Sequence, residues 1–206
     1  MTIPPPAGAR RVSVPAARLR GWLLGFAERH GSTTISESPS TVALEAADGA
    51  RAWVEVPFPP LSGGLLAHVE ASRRVAVVLV RRGGYAVGVF DGAALAASKV
   101  GSSYVQGTTK AGGWSQQRYA RRRANQASAA FASAADAAAR ILGDVALDAV
   151  VLGGDRPAVK AVLDDRRLQH LGPLVAGPWL AVKDPRLRVL AAMPEQFLSV
   201  RIELDP

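Results

Sequence analysis

A proline-free stretch over residues 116–142 constrains the fold more than any other feature of this chain, because it predicts one helix roughly 40 Å long at ~1.5 Å per residue. One stripe along that helix is apolar and consists of Tyr119, Ala124, Ala127, Phe131, Ala135, Ala138 and Ile141 or Leu142. A stripe at this spacing predicts packing against another layer, and its many alanines indicate close approach to a sheet. Gly143 is the expected stop signal.

The segments on either side of the helix have the patterns of strands. Residues 75–80 form a continuous apolar run suited to a central strand, and residues 85–90 and 94–105 follow it after short turns. This order predicts a three-stranded meander. Beyond the helix, the sequence predicts a buried strand, a second helix, two weaker strands and a final strand, over residues 148–152, 155–169, 174–182, 187–192 and 196–204 respectively. The predicted fold class is therefore α/β (α+β), with a mixed β-sheet and helices packed on it.

The N-terminal third predicts a smaller element. Residues 1–10 form a proline-rich lead-in, a helix begins at Pro15 and stops at Gly31, and residues 41–46 and 51–56 alternate around Asp48-Gly49 as in a hairpin. Prolines and Gly63-Gly64 then break the pattern. We expect residues 1–64 to form a small helix and hairpin element and residues 65–206 to form the main domain.

Charge is distributed unevenly along the chain. No Asp or Glu occurs between Gly92 and Ala135, whereas this interval carries six cations: Lys99, Lys110, Arg118, Arg121, Arg122 and Arg123. The whole chain has a formal charge of +8. Such a local field favours a polyanionic partner, with nucleic acid ahead of an anionic membrane.

Several other chemistries are excluded or disfavoured by the residues present. The chain has no cysteine, so it has neither disulfides nor a thiolate zinc site, and its three histidines form no ligand pair. Asp91, Asp148 and Asp155 are the minor alternative for a two-metal nuclease, although a turn explains the first and a helix cap the last. The turn of residues 153–157 lacks the lysine of a phosphate loop. We therefore expect no metal and no cofactor.

The same tract combines the groups that hydrolysis of an activated ester requires. Gly112 and Gly113 would let the backbone approach a substrate and expose N–H groups to a developing oxyanion. Gln116 and Gln117 do not titrate, but a positioned amide can hold a water molecule by donating and accepting hydrogen bonds together. Trp114 could stack on a nucleobase or fold back on the meander. An ester carried by RNA fits both the amides and the basic helix.

The run Gly112-Gly113-Trp114-Ser115-Gln116-Gln117 resembles the actinobacterial branch of the release-factor-like peptidyl-tRNA hydrolases, and the residues that flank it, 107–110 and 118–126, strengthen this resemblance. Those proteins are related to the catalytic domain of eukaryotic peptide-chain release factors and to the ribosome-quality-control release factor. The resemblance covers roughly residues 70–200. In the general release factors the glycine pair directly precedes the glutamine, whereas Trp114 and Ser115 intervene here.

The resemblance implies a release-factor catalytic domain whose loop enters the peptidyl-transferase centre, where Gln116, or Gln117 in a shifted register, positions the hydrolytic water. Lys110, Trp114 and the arginines Arg118, Arg121, Arg122 and Arg123 would then bind RNA. The implied partners are the large ribosomal subunit, its ribosomal RNA and peptidyl-tRNA. The N-terminus lacks signal-peptide features and no apolar run approaches the ~20 residues of a membrane span, so we expect no membrane partner and a cytoplasmic location. Two alternatives remain open: a tRNA endonuclease that cuts near the 3′ end, and a ribosome-associated RNA-binding module without turnover.

Overall fold

The computed structural model describes residues 8–102 and 115–205, with side chains for all of these except residues 115–127. Two compact units divide the chain. The first unit comprises Met1–Ser72 together with Pro194–Pro206, and the second comprises Arg73–Met193. The end of the chain, Pro194–Pro206, therefore belongs to the first unit, although the segment directly before it belongs to the second.

The described strands are β1 Arg10–Pro15, β2 Thr33–Glu37, β3 Thr41–Ala46, β4 Arg51–Glu55, β5 Arg74–Arg81, β6 Gly84–Asp91, β7 Ala94–Ser102, β8 Ala149–Gly154 and β9 Ser199–Leu204. The described α-helices are α1 Leu19–His30, α2 Leu65–Glu70, α3 Ser115–Leu142, α4 Arg156–Leu163, α5 Leu187–Ala191 and α6 Pro194–Phe197, and two 3₁₀ helices cover Ala16–Arg18 and Arg166–Leu174.

The first unit is built on a five-stranded antiparallel sheet in the order β1-β9-β4-β3-β2. Alternate residues of the β3–β4 hairpin, such as Val42, Leu44 and Val54, point to one buried face, where Leu19 and Phe26 of α1 pack. The other face carries cross-strand ion pairs, including Arg11 with Glu203 and Arg201 with Glu55. The predicted hairpin around Asp48-Gly49 is confirmed, and Gly49 has a φ of 89° that suits glycine.

The start of the first unit differs from the prediction. The helix begins at Leu19 instead of Pro15, because residues 10–15 form β1 and pair with β9. Strand β2, which no sequence signal indicated, adds to the edge of the hairpin. Both differences come from pairing between strands distant in sequence or at a sheet edge, which local periodicity does not report.

The second unit has a four-stranded sheet in the order β7-β6-β5-β8. The meander β5-β6-β7 is antiparallel, as predicted, and β8 joins β5 in parallel. Residues 75–80 of β5 are buried on both faces. On one of these faces of the sheet, the side chain of Leu190 from α5 packs over Gly88, where an added Cβ would lie 2.9 Å from Leu190 Cδ2. The fold is mixed α/β, which confirms the predicted class.

Helix α3 matches the predicted helix to within one residue. Ala134, Ala135, Ala138 and Leu142 are buried, and Phe131 is half-buried against the same core. This core lies between α3 and the meander and continues to α4. The predicted stripe residues Tyr119, Ala124 and Ala127 have side chains outside the described part. The C-terminal half of α3 therefore anchors the helix.

Several elements after β8 differ from the sequence prediction. The predicted second helix ends at Leu163, because Asp165 adopts an extended conformation and caps the following 3₁₀ helix by accepting a 3.0 Å hydrogen bond from the Arg167 N–H. Side-chain and backbone hydrogen bonds from Arg167 lower the pKa of Asp165 to about 2. The two weak strand predictions were wrong. The first segment makes only isolated bridges at Val175 and Leu180, and the second is α5.

The predicted final strand is present as β9, but it pairs with β1 and β4 in the first unit. The division into compact units therefore differs from the predicted boundary near residue 65, which assigned residues 65–206 to one domain. A single apolar strand gives no sequence signal for which of two sheets it joins, since that depends on non-local pairing.

We expect Leu142→Ala to lower the free energy of unfolding by about 2–5 kcal/mol, because Leu142 is 0% exposed and its truncation leaves a cavity under α3. The control Leu187→Ala, whose side chain is 51% exposed in the same unit, should change it by less than about 0.5 kcal/mol. Denaturant unfolding of the two variants is the measurement. Equal effects would mean that the end of α3 is not docked on the sheet.

Candidate functional site

The candidate site lies where strands of the sheet in the second unit end, and we call this end of the strands the sheet edge. Strands β5, β7 and β8 end at this edge and β6 begins there, since Gly84 pairs with both Arg81 and Ser102 and Val80 pairs with Gly154. In open α/β sheets, ligands bind outside the carboxyl ends of parallel strands. Ser102 is also the last described residue before the tract with the predicted catalytic loop.

The structure covers the predicted site residues only in part. Gln116, Gln117, Arg118, Arg121, Arg122 and Arg123 lie in the first turns of α3, with their backbone described and their side chains not. Lys110, Gly112, Gly113 and Trp114 lie outside the described residues. The helical backbone fixes one relation: residues 118, 121 and 122 are spaced i, i+3 and i+4, which brings three arginines to one side of the helix.

The start of α3 is electrostatically unusual for a helix N-terminus. Its first turn carries no acidic residue. Helix N-termini have unpaired N–H groups and a positive dipole end, so acidic side chains normally stabilise them. Four arginines within the first nine residues increase the positive potential instead. A polyanion near this end would relieve that repulsion.

A cleft of about 870 Å³ opens at the same sheet edge. We call it the edge cleft, and it is lined by Arg81, Arg82, Gly83, Gly84, Val100, Gly101, Ser102, Asp155, Lys183, Asp184, Pro185 and Arg186. Four cations and two carboxylates give this lining a net charge of +2. Among the described lining residues, Val100 and Pro185 alone have wholly apolar side chains, whereas six are charged.

Arg81 connects three elements at the edge cleft. Its Nη1 donates to the carbonyl oxygens of Val182 at 2.9 Å and Lys183 at 3.3 Å, and its Nη2 lies 3.2 Å from Asp155 Oδ1. Asp155 occupies the N-cap position of α4 as predicted, but its side chain accepts no hydrogen bond from that helix. The side chain of Asp155 instead orients Arg81, which fixes the 182–183 segment at the rim.

Close neighbours explain two glycines in the lining of the edge cleft. Gly101 faces Tyr85 across β6 and β7, and an added Cβ would lie 2.4 Å from the Tyr85 ring. At Gly84 an added Cβ would lie 2.6 Å from the Gly101 carbonyl oxygen. Neither position has room for a larger residue.

An aromatic residue and a further cation lie next to Asp155. Trp179 Nε1 donates to the Gly154 carbonyl oxygen at 3.2 Å, and the Arg156 guanidinium stacks 4.3 Å from the Trp179 ring centroid. Gly154 has a φ of 96°, which explains the glycine at the end of β8. The predicted turn at residues 153–157 is thus present, and the contact with Arg156 stabilises Trp179 at this edge.

Sequence reasoning missed the cations of the edge cleft. Arg82 occupies a two-residue turn, and Lys183 and Arg186 belong to a segment interpreted as a connection between strands. Their separation of about one hundred residues along the chain gave no local motif. The one available signal was the run Lys-Asp-Pro-Arg-Leu-Arg at residues 183–188, which carries three cations.

The carboxylates considered for a metal site lie at opposite ends of the strands. Asp91 Oδ1 accepts from Arg74 Nε at 2.6 Å, and Asp148 Oδ2 accepts from the Arg74 N–H at 2.7 Å, whereas Asp155 lies at the far end of β5. An eight-residue strand separates these ends by about 23 Å. The Arg74 hydrogen bond lowers the pKa of Asp91. Among residues 8–102 and 115–205, no three His, Asp or Glu side chains are grouped like metal ligands.

The first unit contains a different cleft, of about 1020 Å³. Trp22 stacks on Phe26 with centroids 5.6 Å apart, and His30 continues the row with its Nδ1 2.8 Å from Asp48 Oδ2. A hydrogen bond from the Ala50 N–H, followed by the His30 contact, lowers the pKa of Asp48.

His68 is buried, accepting from the Ser62 N–H at 3.1 Å and contacting the Pro57 carbonyl oxygen at 2.7 Å, so its place is the core and not the surface.

The two units differ sharply in charge. The second unit holds 18 Lys and Arg against 8 Asp and Glu, a net charge of +10, whereas the first holds 7 against 9, a net charge of −2. The positive charge of the chain therefore belongs to the unit that contains α3 and the edge cleft. A polyanion is attracted to this unit in particular.

A family model described as Actinobacteria/chloroflexi VLRF1 release factor matches residues 73–203. Among solved structures, the chain is similar to an archaeal translation termination factor, aRF1, at 15% identity and a TM-score of 0.46; the match covers 91% of this chain and 66% of that factor. No curated protein matches the chain. The family match confirms the resemblance to release factors that residues 107–126 indicated.

No helix in the described part of the chain is both long enough and apolar enough to cross a membrane.

We expect Arg81→Met to loosen the 182–186 segment, because the substitution keeps the apolar stem of the side chain and removes both carbonyl contacts and the Asp155 pair. Hydrogen exchange of this segment should become at least several-fold faster. The control Lys160→Met removes an exposed ion pair with Asp164 on α4 and should leave exchange in residues 182–186 unchanged. Unchanged exchange in Arg81→Met would show that the segment is held by other contacts.

Proposed function

Because this chain belongs to the Actinobacteria/chloroflexi VLRF1 release factor family, we propose that it is a peptidyl-tRNA hydrolase that releases nascent chains from stalled large ribosomal subunits. The family gives the chain a role related to translation termination or ribosome rescue, with the ribosome and tRNA as partners. The ester hydrolysis, the large-subunit substrate and the cytoplasmic location are our proposal.

One observation supports the hydrolase above its alternatives: α3 begins at Ser115, so Gln116 and Gln117 lie in its first turn, with two residues between the glycine pair and Gln116. The first N–H groups of a helix lack partners within the helix. A glutamine in that turn offers an amide beside backbone donors, which is the combination that ester hydrolysis by a positioned water requires.

The proposed reaction is attack by water on the carbonyl carbon of the ester that links the peptide to the tRNA 3′ end. The water oxygen forms the new bond, the bond to the ribose oxygen breaks, and the proton lost by water ends on that ribose oxygen. Gln116 holds the water by accepting one hydrogen bond and donating another, and it does not remove a proton itself. Backbone N–H groups of Gly112, Gly113 and the start of α3 stabilise the oxyanion.

The arginines at the start of α3 provide docking in this proposal. Arg118, Arg121, Arg122 and Arg123, with Lys110, neutralise RNA phosphates, and Trp114 stacks on a base. The charge of +10 on the second unit supports an RNA partner of this kind.

We expect Gln116→Ala to lower the rate of peptide release by about 100-fold or more, because the amide acts mainly in the transition state. Binding to large ribosomal subunits should stay within about threefold of the parent protein, since a neutral amide contributes little to electrostatic docking. The measurement uses subunits that carry labelled peptidyl-tRNA and a gel that resolves peptide, intact tRNA and tRNA without its 3′ end.

Three results of this assay would lead to different conclusions. Free peptide beside intact, rechargeable tRNA supports ester hydrolysis. Peptide attached to a short nucleotide stub would make the protein a tRNA endonuclease and overturn the proposal. Unchanged release in both Gln116→Ala and the Gln116→Ala, Gln117→Ala double variant would show that neither amide acts.

The second candidate function is a ribosome-associated RNA-binding module without turnover, and the concentration of positive charge in the second unit favours it. We expect Arg121→Glu with Arg122→Glu to weaken subunit binding by about 10-fold or more at low salt, with a smaller loss at high salt. Salt-dependent binding of parent and variant is the measurement. Parent protein that binds in this way but releases no peptide at any concentration would leave the binding module as the function.

A further inference from the structure

We infer that the edge cleft binds the phosphate backbone of single-stranded RNA, and specifically of the 3′ end of the tRNA that carries the ester. This inference rests on the proposed function for the identity of the RNA. The predicted site includes none of the cations of the edge cleft, which come from the end of β5, the β5–β6 turn and the segment before α5.

The charges of the edge cleft are arranged for an anion that extends over several ångströms. Arg81 and Arg82 lie on one side, and Lys183 and Arg186 lie on the segment that Arg81 holds in place. Asp155 and Asp184 each pair with an arginine, at 3.2 Å and 2.5 Å, so they orient the guanidinium groups. The described lining as a whole has a net charge of +2.

The lining of the edge cleft suits a sugar-phosphate backbone better than an apolar ligand. Its charged side chains, those of Arg81, Arg82, Lys183, Arg186, Asp155 and Asp184, outnumber its two wholly apolar ones, Val100 and Pro185. Phosphates with their hydroxyl-bearing sugars match cations grouped in this way.

The charge balance of the molecule separates this cleft from the other large one. The cleft of the first unit has aromatic walls, but it belongs to a unit of net charge −2. The edge cleft belongs to the unit of net charge +10. Long-range attraction therefore favours RNA at the unit that contains the edge cleft.

The choice of the tRNA rests on the proposed function. Ser102 lines the cleft, and Gly112 is ten positions further along the chain, which limits their distance to about 36 Å at most. If residues 112–116 act at the ester, the RNA strand nearest to them is the one that carries the ester.

The test compares binding of two probes, a deacylated tRNA and the same tRNA with its single-stranded 3′ end removed. The cleft variant is Arg82→Glu with Lys183→Glu. The matched control is Arg18→Glu with Arg166→Glu, which changes net charge equally at exposed positions outside the cleft lining. Thermal unfolding of both variants confirms that they are folded, and Arg82→Gln with Lys183→Gln repeats the test without new negative charge.

The parent protein should bind the intact tRNA more tightly than the trimmed one. The cleft variant should lose about 10-fold or more in affinity for intact tRNA, lose the preference for it, and show a log–log salt slope smaller by about 1.4, for two contacts with single-stranded phosphates. The control should keep the preference for the intact 3′ end.

Equal binding of both probes by the parent protein would overturn the inference, and so would an equal loss in the control. Weaker binding of the cleft variant to tRNA-free large subunits, with unchanged binding of tRNA, would assign the cleft to ribosomal RNA and also overturn it. The tRNA probes contain no ester, so this result is independent of release. A protein that releases no peptide but shows the predicted tRNA binding would fail only the proposed function.

Discussion

Burial of β5 on both faces is the constraint on which the second unit depends. Residues 75–80 are almost completely removed from water, so both faces of the sheet need cover. The C-terminal half of α3, together with α4, covers one face, and Leu190 of α5 packs on the other beside Gly88. β8 supplies the parallel partner of β5. The same arrangement places the ends of β5, β7 and β8 at one edge, where the edge cleft and the entry to the loop tract meet.

Electrostatics divides the roles of the two ends of α3. The C-terminal half is alanine-rich and buried, and Asp136 forms a 2.7 Å ion pair with Arg167 of the following 3₁₀ helix. The N-terminal half gathers arginines at the positive end of the helix dipole. An arrangement that is unfavourable in isolation becomes favourable next to RNA phosphates, so the helix joins a stable anchor to a surface that needs a partner.

Local patterns were sufficient to predict the hairpin around Asp48-Gly49, the meander and α3, because each depends on periodicity or turn residues within a short stretch. They failed after β8. Residues 174–182 have strand-like composition but make only isolated bridges, and residues 187–191 form a helix. For the candidate site, the sequence predicts the loop and the basic helix, whose side chains or positions lie outside the described part. It did not identify Lys183 and Arg186, which reach the cleft through the contacts of Arg81 with the 182–183 segment.

The sequence by itself determined the family, the mixed α/β class, the glutamines that follow a glycine pair and the acid-free basic tract, because all of these are properties of residue type and spacing. Tertiary structure decided which sheet β9 joins, how positive charge divides between the two units, and which cations surround the edge cleft. These features depend on contacts between residues far apart in the chain. Such contacts are selected by the packing of whole layers, and no local pattern encodes them.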